Sequence, residues 1–184
     1  MYWVRFFFEM IAGIVISGVL TAGFLGVNET NLAKWEKFTR NRIFGMIIAF
    51  PALFACVPHA QIVAPGFLQN PLLLWGLAIL IPILCYFYID YYTARAIGGA
   101  AIILAYDLIH YAYDERLFGG VFLTIMAWLF GFAAIWMSGK PHALRDWFRL
   151  AARKKVFGRC AAAAAAICGL AFIIALIGGI MVQK

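Results

Sequence analysis

The chain has 184 residues, of which 66% are hydrophobic and 12% are charged, and its mean hydropathy is +0.93. Soluble domains are about 45–50% apolar and about 25% charged, so this composition excludes an ordinary water-soluble domain. The formal net charge is +7, from 15 Lys and Arg against 8 Asp and Glu. We therefore expect an all-α, polytopic membrane helical bundle whose apolar surface is covered by lipid.

Six segments are long and apolar enough to cross a bilayer, which takes roughly 20 mostly apolar residues. They cover about residues 6–27, 43–66, 71–89, 96–113, 117–138 and 157–182. Because they use most of the chain, residues 1–184 are predicted to form a single integral membrane domain. The first segment has no clean small-residue cleavage site, which favours a retained span over a secretory signal peptide.

The basic residues predict the orientation of these spans, because positively charged loops stay in the cytoplasm. All Lys and Arg except Arg5, Arg116 and Lys184 fall in the loops between spans one and two, three and four, and five and six. Both termini are therefore predicted to lie outside, and we take the membrane to be a bacterial inner membrane.

The two longer basic loops have the pattern of amphipathic helices. Such helices lie in the membrane interface with their basic side chains among anionic headgroups. The residues predicted to contact the membrane surface or anionic lipid are Trp35, Arg145, Trp147, Arg149, Arg153, Lys154 and Lys155. These loops explain the positive charge, and nucleic-acid binding is not expected.

A short pattern recurs at the start of the second, fourth and sixth spans. It reads RIFG at residues 42–45, RAIG at 95–98 and KVFG at 155–158. This repetition predicts three helical hairpins whose turns face the cytoplasm. The alternative is that a basic, an apolar and a small residue are typical of any cytoplasmic helix start.

The ionisable side chains inside or at the ends of the apolar spans include Glu9, His59, Asp107, His110 and Asp114. Such groups are costly in lipid and usually face a protein interior or a wet cavity. The three in span four share one helical face. We expect all five to converge on one outward-facing cavity.

Span two supports such a cavity, because it contains Pro51, Pro58 and Pro65. Proline lacks a backbone donor and leaves a carbonyl unpaired one turn earlier, and neighbours or water must satisfy that carbonyl. Pro58 directly precedes His59, so a kink there would aim the imidazole inward.

These residues favour a transport or channel-type protein for an ion, proton or small polar solute, without a cofactor. A first alternative is an electron carrier or enzyme in which His59 and His110 bind haem b or a metal ion. A second is a membrane scaffold or assembly subunit in which Asp107 pairs only to order the bundle. No nucleophile–base pair or phosphate-cradling loop indicates other enzyme chemistry, and a homo-oligomer is a further expectation.

Overall fold

The computed structural model describes residues 2–63, 65–114, 117, 119–140 and 142–182, apart from the side chains of Tyr2, Phe67 and Leu68. Arg116 and Lys184, two of the predicted outside residues, lie outside the described residues. All regular structure in the described ranges is helical.

Eight α-helices and one short 3-10 helix follow one another along the described chain. They are α1 (Tyr2–Gly26), α2 (Leu32–Thr39), α3 (Arg42–Val63), the 3-10 helix (Gly66–Gln69), α4 (Pro71–Tyr88), α5 (Tyr92–Asp114), α6 (Gly120–Gly139), α7 (His142–Arg153) and α8 (Lys155–Val182). Six of them, α1, α3, α4, α5, α6 and α8, are long and apolar enough to cross a membrane. The six predicted spans are thus confirmed as candidate membrane helices, and the protein has the build of an integral membrane protein.

Helices α3 and α4 contain prolines inside the helix or at its ends. Helix α3 continues through Pro51 and Pro58 and ends at Val63, shortly before Pro65. Helix α4 begins at Pro71, where a missing N–H is no loss, and the side chain of Asn70 accepts a hydrogen bond from the backbone N–H of Leu72.

Helix α5 lies at the centre of the bundle. Buried residues make up 61% of its apolar stretch, against 11–33% in the other five spans. It packs against α6, α3 and α1, while α8 packs along α1. Most side chains of α5 therefore face protein and not lipid.

Two glycines let these helices approach closely. A Cβ atom on Gly13 of α1 would lie 2.5 Å from the ring of Phe172 in α8. A Cβ atom on Gly45 of α3 would lie 2.8 Å from the ring of Tyr92 and 2.9 Å from the backbone nitrogen of Thr93. Contacts of this kind are how membrane helices pack, because lipid tails provide no hydrophobic drive for their association.

The three-hairpin arrangement is not confirmed and stays a prediction. Packing is most extensive between α5 and α6 and between α1 and α8, and α3 packs on both α5 and α4. Two of the predicted hairpins would pair α1 with α3 and α4 with α5, and neither pair has an extensive interface within the described residues.

The helices α2 and α7 and the turn between α4 and α5 meet at one end of the bundle, which we call the basic end. Trp35 of α2 packs on Phe148 of α7, with ring centroids 5.3 Å apart. Arg145 of α7 donates a hydrogen bond to the hydroxyl of Tyr91 in the turn. The other end, where α1 begins and α5 finishes, is called the opposite end. Which end faces the cytoplasm stays a prediction.

Candidate functional site

Three of the spans bring charged and polar side chains together toward the opposite end. We call Arg5, Glu9, His59, Asp107 and Tyr111 the polar cluster. Arg5 Nε lies 2.5 Å from Glu9 Oε1, and the Tyr111 hydroxyl donates to Glu9 Oε2 across 2.8 Å. His59 Nε2 lies 3.0 Å from Asp107 Oδ1 and 2.6 Å from Arg5 Nη2. The cluster thus joins α1, α3 and α5.

Helical spacing places the members of the cluster in pairs. Arg5 and Glu9 are four residues apart on α1, and Asp107 and Tyr111 are four residues apart on α5. Residues at this spacing lie one above the other on the same helical face. Both faces turn into the interface between α1 and α5, where the side chains of Glu9 and Asp107 are only 3% and 4% exposed.

A backbone carbonyl near Pro58 also takes part on the α3 side of the cluster. The carbonyl of Ala55, three residues before Pro58, accepts a hydrogen bond of 3.3 Å from Arg5 Nη2. A proline in a helix weakens the backbone hydrogen bonds one turn earlier, and membrane-embedded carbonyls then need other donors. The carbonyl that Pro58 leaves without its helical donor is that of Phe54, and Arg5 donates to the neighbouring carbonyl of Ala55.

The charges of the polar cluster do not balance without an added proton. Arg5 carries one positive charge, while the ionised carboxylates of Glu9 and Asp107 carry two negative charges between them. A net charge away from water is expensive, and a bound proton on His59 or on a carboxyl removes it. Asp107 Oδ2 is buried without a hydrogen-bond partner in the described part of the chain, and its carboxyl lies within interaction range of Glu9. A proton on that oxygen would remove one negative charge and turn it into a donor toward the Glu9 carboxylate.

One nitrogen of His59 meets a donor and an acceptor at the same time. If Nε2 carries a hydrogen, it donates to Asp107 but opposes the N–H groups of Arg5. If Nε2 is bare, it accepts from Arg5 but leaves the Asp107 carboxylate oxygen facing a lone pair. Each state of Nε2 therefore satisfies one partner and repels the other.

The structure brings together three of the five residues predicted to converge, Glu9, His59 and Asp107. His110 and Asp114 lie apart from them, at the last turn of α5, with side chains 60% and 49% exposed. His110 Nε2 lies 3.3 Å from Asp114 Oδ2. The shared face of α5 is covered by neighbours at Asp107 and is open near the helix end.

Tyr106 connects the two groups. Its ring meets His59 edge-on with centroids 4.9 Å apart and stacks on His110 with centroids 5.6 Å apart. The side chain of His59 is 26% exposed and that of Arg5 is 31% exposed. Polar and aromatic groups thus run from the exposed end of α5 to the buried carboxylates.

A cavity of about 180 Å³ lies between α1, α3 and α5 on the side of the cluster toward the basic end. Glu9 is the one ionisable residue among the described residues that line it, and the rest of the wall is apolar. Pro51, Ala55 and Ala100 contribute small or rigid surfaces to this wall. Glu9 therefore borders an apolar space while its carboxylate contacts Arg5 and Tyr111 in the polar cluster.

The histidine positions give less support to a cofactor. Two axial haem histidines must face one gap, whereas the ring of Tyr106 packs against both His59 and His110, with centroids 4.9 Å and 5.6 Å away. Within the described ranges, no group of three or more His, Cys, Asp or Glu is arranged to hold a metal ion. Haem or metal binding at these histidines stays an untested alternative.

The residues predicted to contact the membrane surface take different positions at the basic end. Arg149 Nε lies 2.5 Å from Glu36 Oε1, and Arg145 contacts Asp146 and Tyr91. Three other basic side chains are exposed without an ion pair to a described residue, namely Arg153, Lys154 and Lys155. Trp35 and Trp147 are half-buried and pack against the bundle.

No family model matches the chain, and no curated protein or solved structure matches it either.

Sequence reasoning missed Arg5, Tyr106 and Tyr111 as members of the site. Arg5 entered the prediction only as a topology signal, and tyrosines near span ends are common as interfacial anchors. The available signal was helical spacing, because Arg5 precedes Glu9 by four residues and Tyr111 follows Asp107 by four. An ionisable residue in a span predicts a partner one turn away.

Proposed function

We propose that the protein is a membrane transport or channel-type protein in which the polar cluster binds and releases a proton. The observation that carries the proposal is the position of His59 Nε2 between a donor on Arg5 and an acceptor on Asp107. Gain or loss of one proton reverses which contact is favourable. The proton is either the transported ion or the ion that drives movement of a small polar solute.

Access to the cluster comes from the opposite end. His110 and Asp114 are exposed there, and Tyr106 stands between His110 and His59. Protons move along chains of titratable side chains and water, and ionisable residues in spans commonly form such relays. With both termini outside, as the basic loops favour, this entrance faces the outside of a bacterial inner membrane.

The apolar cavity below Glu9 supports movement of a solute or water past the cluster. It extends between α1, α3 and α5 toward the basic end and borders a carboxylate. Burying the Glu9 carboxyl in an otherwise apolar wall is costly when the group is ionised and unpaired, and much less costly when it is protonated or paired. Occupancy of this cavity is therefore coupled to the protonation of the cluster.

The test is charge movement in reconstituted protein. Proteoliposomes on a solid-supported membrane receive a rapid pH jump, and the transient current is recorded. Proton binding inside the membrane displaces charge even when the solute is missing, so the wild-type protein gives a current. Asp107→Asn removes the titrating carboxyl and is expected to abolish most of that current.

The matched control is Asp90→Asn, which changes an exposed aspartate in the turn before α5. It should leave the current at the wild-type level. Both variants are checked for a single symmetric peak in gel filtration and for unchanged helical circular dichroism. A wild-type protein that gives no more current than empty liposomes contradicts the proposal, as does an Asp107→Asn variant with wild-type current.

A further inference from the structure

A polar cavity of about 550 Å³ opens at the basic end, far from the polar cluster. Its wall comes from α2, from α7 and from the turn between α4 and α5. The residues that matter for its chemistry are Glu36, Lys37, Arg40, Tyr91, Arg145 and Arg149. Its volume lies within the range of about 300–1,000 Å³ typical of small-molecule sites.

The wall of this cavity carries a surplus of positive charge. Lys37, Arg40, Arg145 and Arg149 face it, and Glu36 is the one carboxylate among its described lining residues. The hydrogen bond from Arg149 holds the pKa of Glu36 below its ordinary value, so this carboxylate is ionised and committed to Arg149. Three cationic groups are left in the wall.

These remaining cations are only partly compensated. Arg145 shares its charge with Asp146, which stands outside the described lining. Lys37 and Arg40 have no carboxylate within salt-bridge distance in the part of the chain that the structure describes. A bound anion would therefore find donors that the protein itself does not use.

The guanidinium groups of two arginines lie near the ring of Tyr91. The guanidinium carbon of Arg40 lies 5.5 Å from the ring centroid, and that of Arg145 lies 5.6 Å from it. Arg145 Nη1 also donates to the Tyr91 hydroxyl across 2.8 Å. Two like charges held near one ring repel each other, and an anion between them offsets that repulsion.

The backbone at Tyr91 supports a functional constraint. Its φ angle is 55°, in the left-handed region that glycine and asparagine adopt more readily than a bulky aromatic residue. Strained residues persist where surrounding structure requires the side chain, and they are concentrated at ligand sites. A glycine would relax this turn but would remove the ring and hydroxyl that position Arg40 and Arg145.

We propose that this cavity binds a phosphate group carrying two negative charges, as in a phosphomonoester or a diphosphate. Guanidinium groups match phosphate oxygens with paired hydrogen bonds, and Lys37 adds a point charge. The surplus of cations suits a dianion better than the single charge of a phosphodiester. The phosphate belongs either to a soluble organic phosphate or to the headgroup of a lipid such as phosphatidic acid.

The soluble arm of the test measures thermal unfolding of the full-length protein in a zwitterionic detergent while glycerol 3-phosphate or inorganic pyrophosphate is added at constant ionic strength. A ligand that binds the folded state raises the melting temperature with its concentration.

The lipid arm repeats the measurement in nanodiscs of phosphatidylcholine containing phosphatidic acid, phosphatidylglycerol or neither. Stabilisation by the soluble probes assigns a soluble phosphate, and stabilisation by phosphatidic acid above phosphatidylglycerol assigns a lipid headgroup.

Two variants locate the binding. Arg40→Ala with Arg145→Ala removes both guanidinium groups at Tyr91, and the apparent dissociation constant is expected to rise about tenfold or more. Because this variant also removes native contacts, Lys37→Ala serves as a milder change, since Lys37 forms no ion pair with another described side chain. It should weaken binding in the same direction.

The controls remove equal charge elsewhere at the same end. Arg153→Ala with Arg159→Ala is the control for the double variant. Lys34→Ala is the control for Lys37→Ala on the same helix. All three control residues are exposed and lie outside the cavity lining. Controls that bind like the wild type support the site. Controls that weaken binding as much as the cavity variants overturn it in favour of diffuse attraction, and so does a wild-type protein that responds to neither class of probe.

Discussion

His59 Nε2 lies 3.0 Å from Asp107 Oδ1, so an imidazole from α3 donates to a buried carboxylate from α5 when that nitrogen carries a hydrogen, and forms an ion pair with it when the ring is an imidazolium. The same nitrogen lies 2.6 Å from Arg5 Nη2, which is always a donor. The geometry therefore depends on one proton. It is the strongest reason to treat the polar cluster as a proton site and not only as an anchor between helices.

The first prediction concerns the pH dependence of the current through this pair. In His59→Ala no imidazole is left to exchange partners, so the charge movement should lose most of its pH dependence around neutrality while some current persists. The measurement is the amplitude of the transient current over a series of starting pH values. His142→Ala is the matched control, because His142 is an exposed histidine of α7 at the basic end, away from the cluster. Retention of the wild-type pH profile by His59→Ala would argue against the assignment.

The second prediction concerns the stability of the charge network. Arg5→Ala leaves Glu9 and Asp107 as buried carboxylates without their cation. Breaking a buried pair costs about 3–5 kcal/mol, and the partial exposure of Arg5 places the expected loss near the lower end, about 3 kcal/mol. The unfolding free energy in mixed micelles, followed by tryptophan fluorescence, measures it.

The matching double variant separates charge from packing. Arg5→Ala with Asp107→Ala removes one charge of each sign, so its loss of stability should be smaller than the sum of the two single losses. Arg159→Ala, an exposed arginine on α8, should change stability by no more than about 0.5 kcal/mol. Additive losses in the double variant would mean that Arg5 and Asp107 are not coupled.

Much of the helical bundle follows from the sequence, because apolar runs of the length of a bilayer have few other solutions. The identity of three cluster residues was also accessible. Glu9, His59 and Asp107 are ionisable residues in apolar segments, and such residues seek one another in the protein interior.

The rest of the site depends on which helices are neighbours, and periodicity does not contain that information. Asp107, His110 and Asp114 share a face of α5, yet Asp107 is covered by α1 and α3 while His110 and Asp114 lie where the helix end is open. The cavity at Tyr91 is a similar case. Its residues come from α2, α7 and a turn, and only the folded bundle brings them together.

The third prediction tests the close approach of α3 and α5. A Cβ atom on Gly45 would lie 2.9 Å from the backbone nitrogen of Thr93, which cannot rotate away. Gly45→Ala should therefore cost about 1–3 kcal/mol of unfolding free energy through overpacking. The comparison is Gly18→Ala, since no atom lies within 4 Å of the Cβ position at Gly18. That variant should be neutral or slightly more stable, because alanine favours the helix over glycine. Equal effects of the two changes would show that the α3–α5 contact is looser than described.

The fourth prediction concerns acid stability at the basic end. The hydrogen bond from Arg149 lowers the pKa of Glu36 from its ordinary value of 4.5. Since the folded-state pKa is the lower one, the pair contributes stability above about pH 4.5, and this contribution is lost as the pH falls below that value. Glu36→Gln removes the titrating group, so its melting temperature should fall less than that of the wild type when the pH is lowered from neutral through this range.

The difference between Glu36→Gln and the wild type should be small and should shrink in high salt, because the pair is near the surface and screened. Glu29→Gln, at an exposed glutamate in the connection between α1 and α2, provides the comparison for removing one negative charge without removing an ion pair. It should follow the wild-type acid profile. If Glu36→Gln loses as much thermal stability on acidification as the wild type does, the ion pair between Glu36 and Arg149 does not stabilise the contact between α2 and α7. The two helices are then held together by the packing of Trp35 on Phe148.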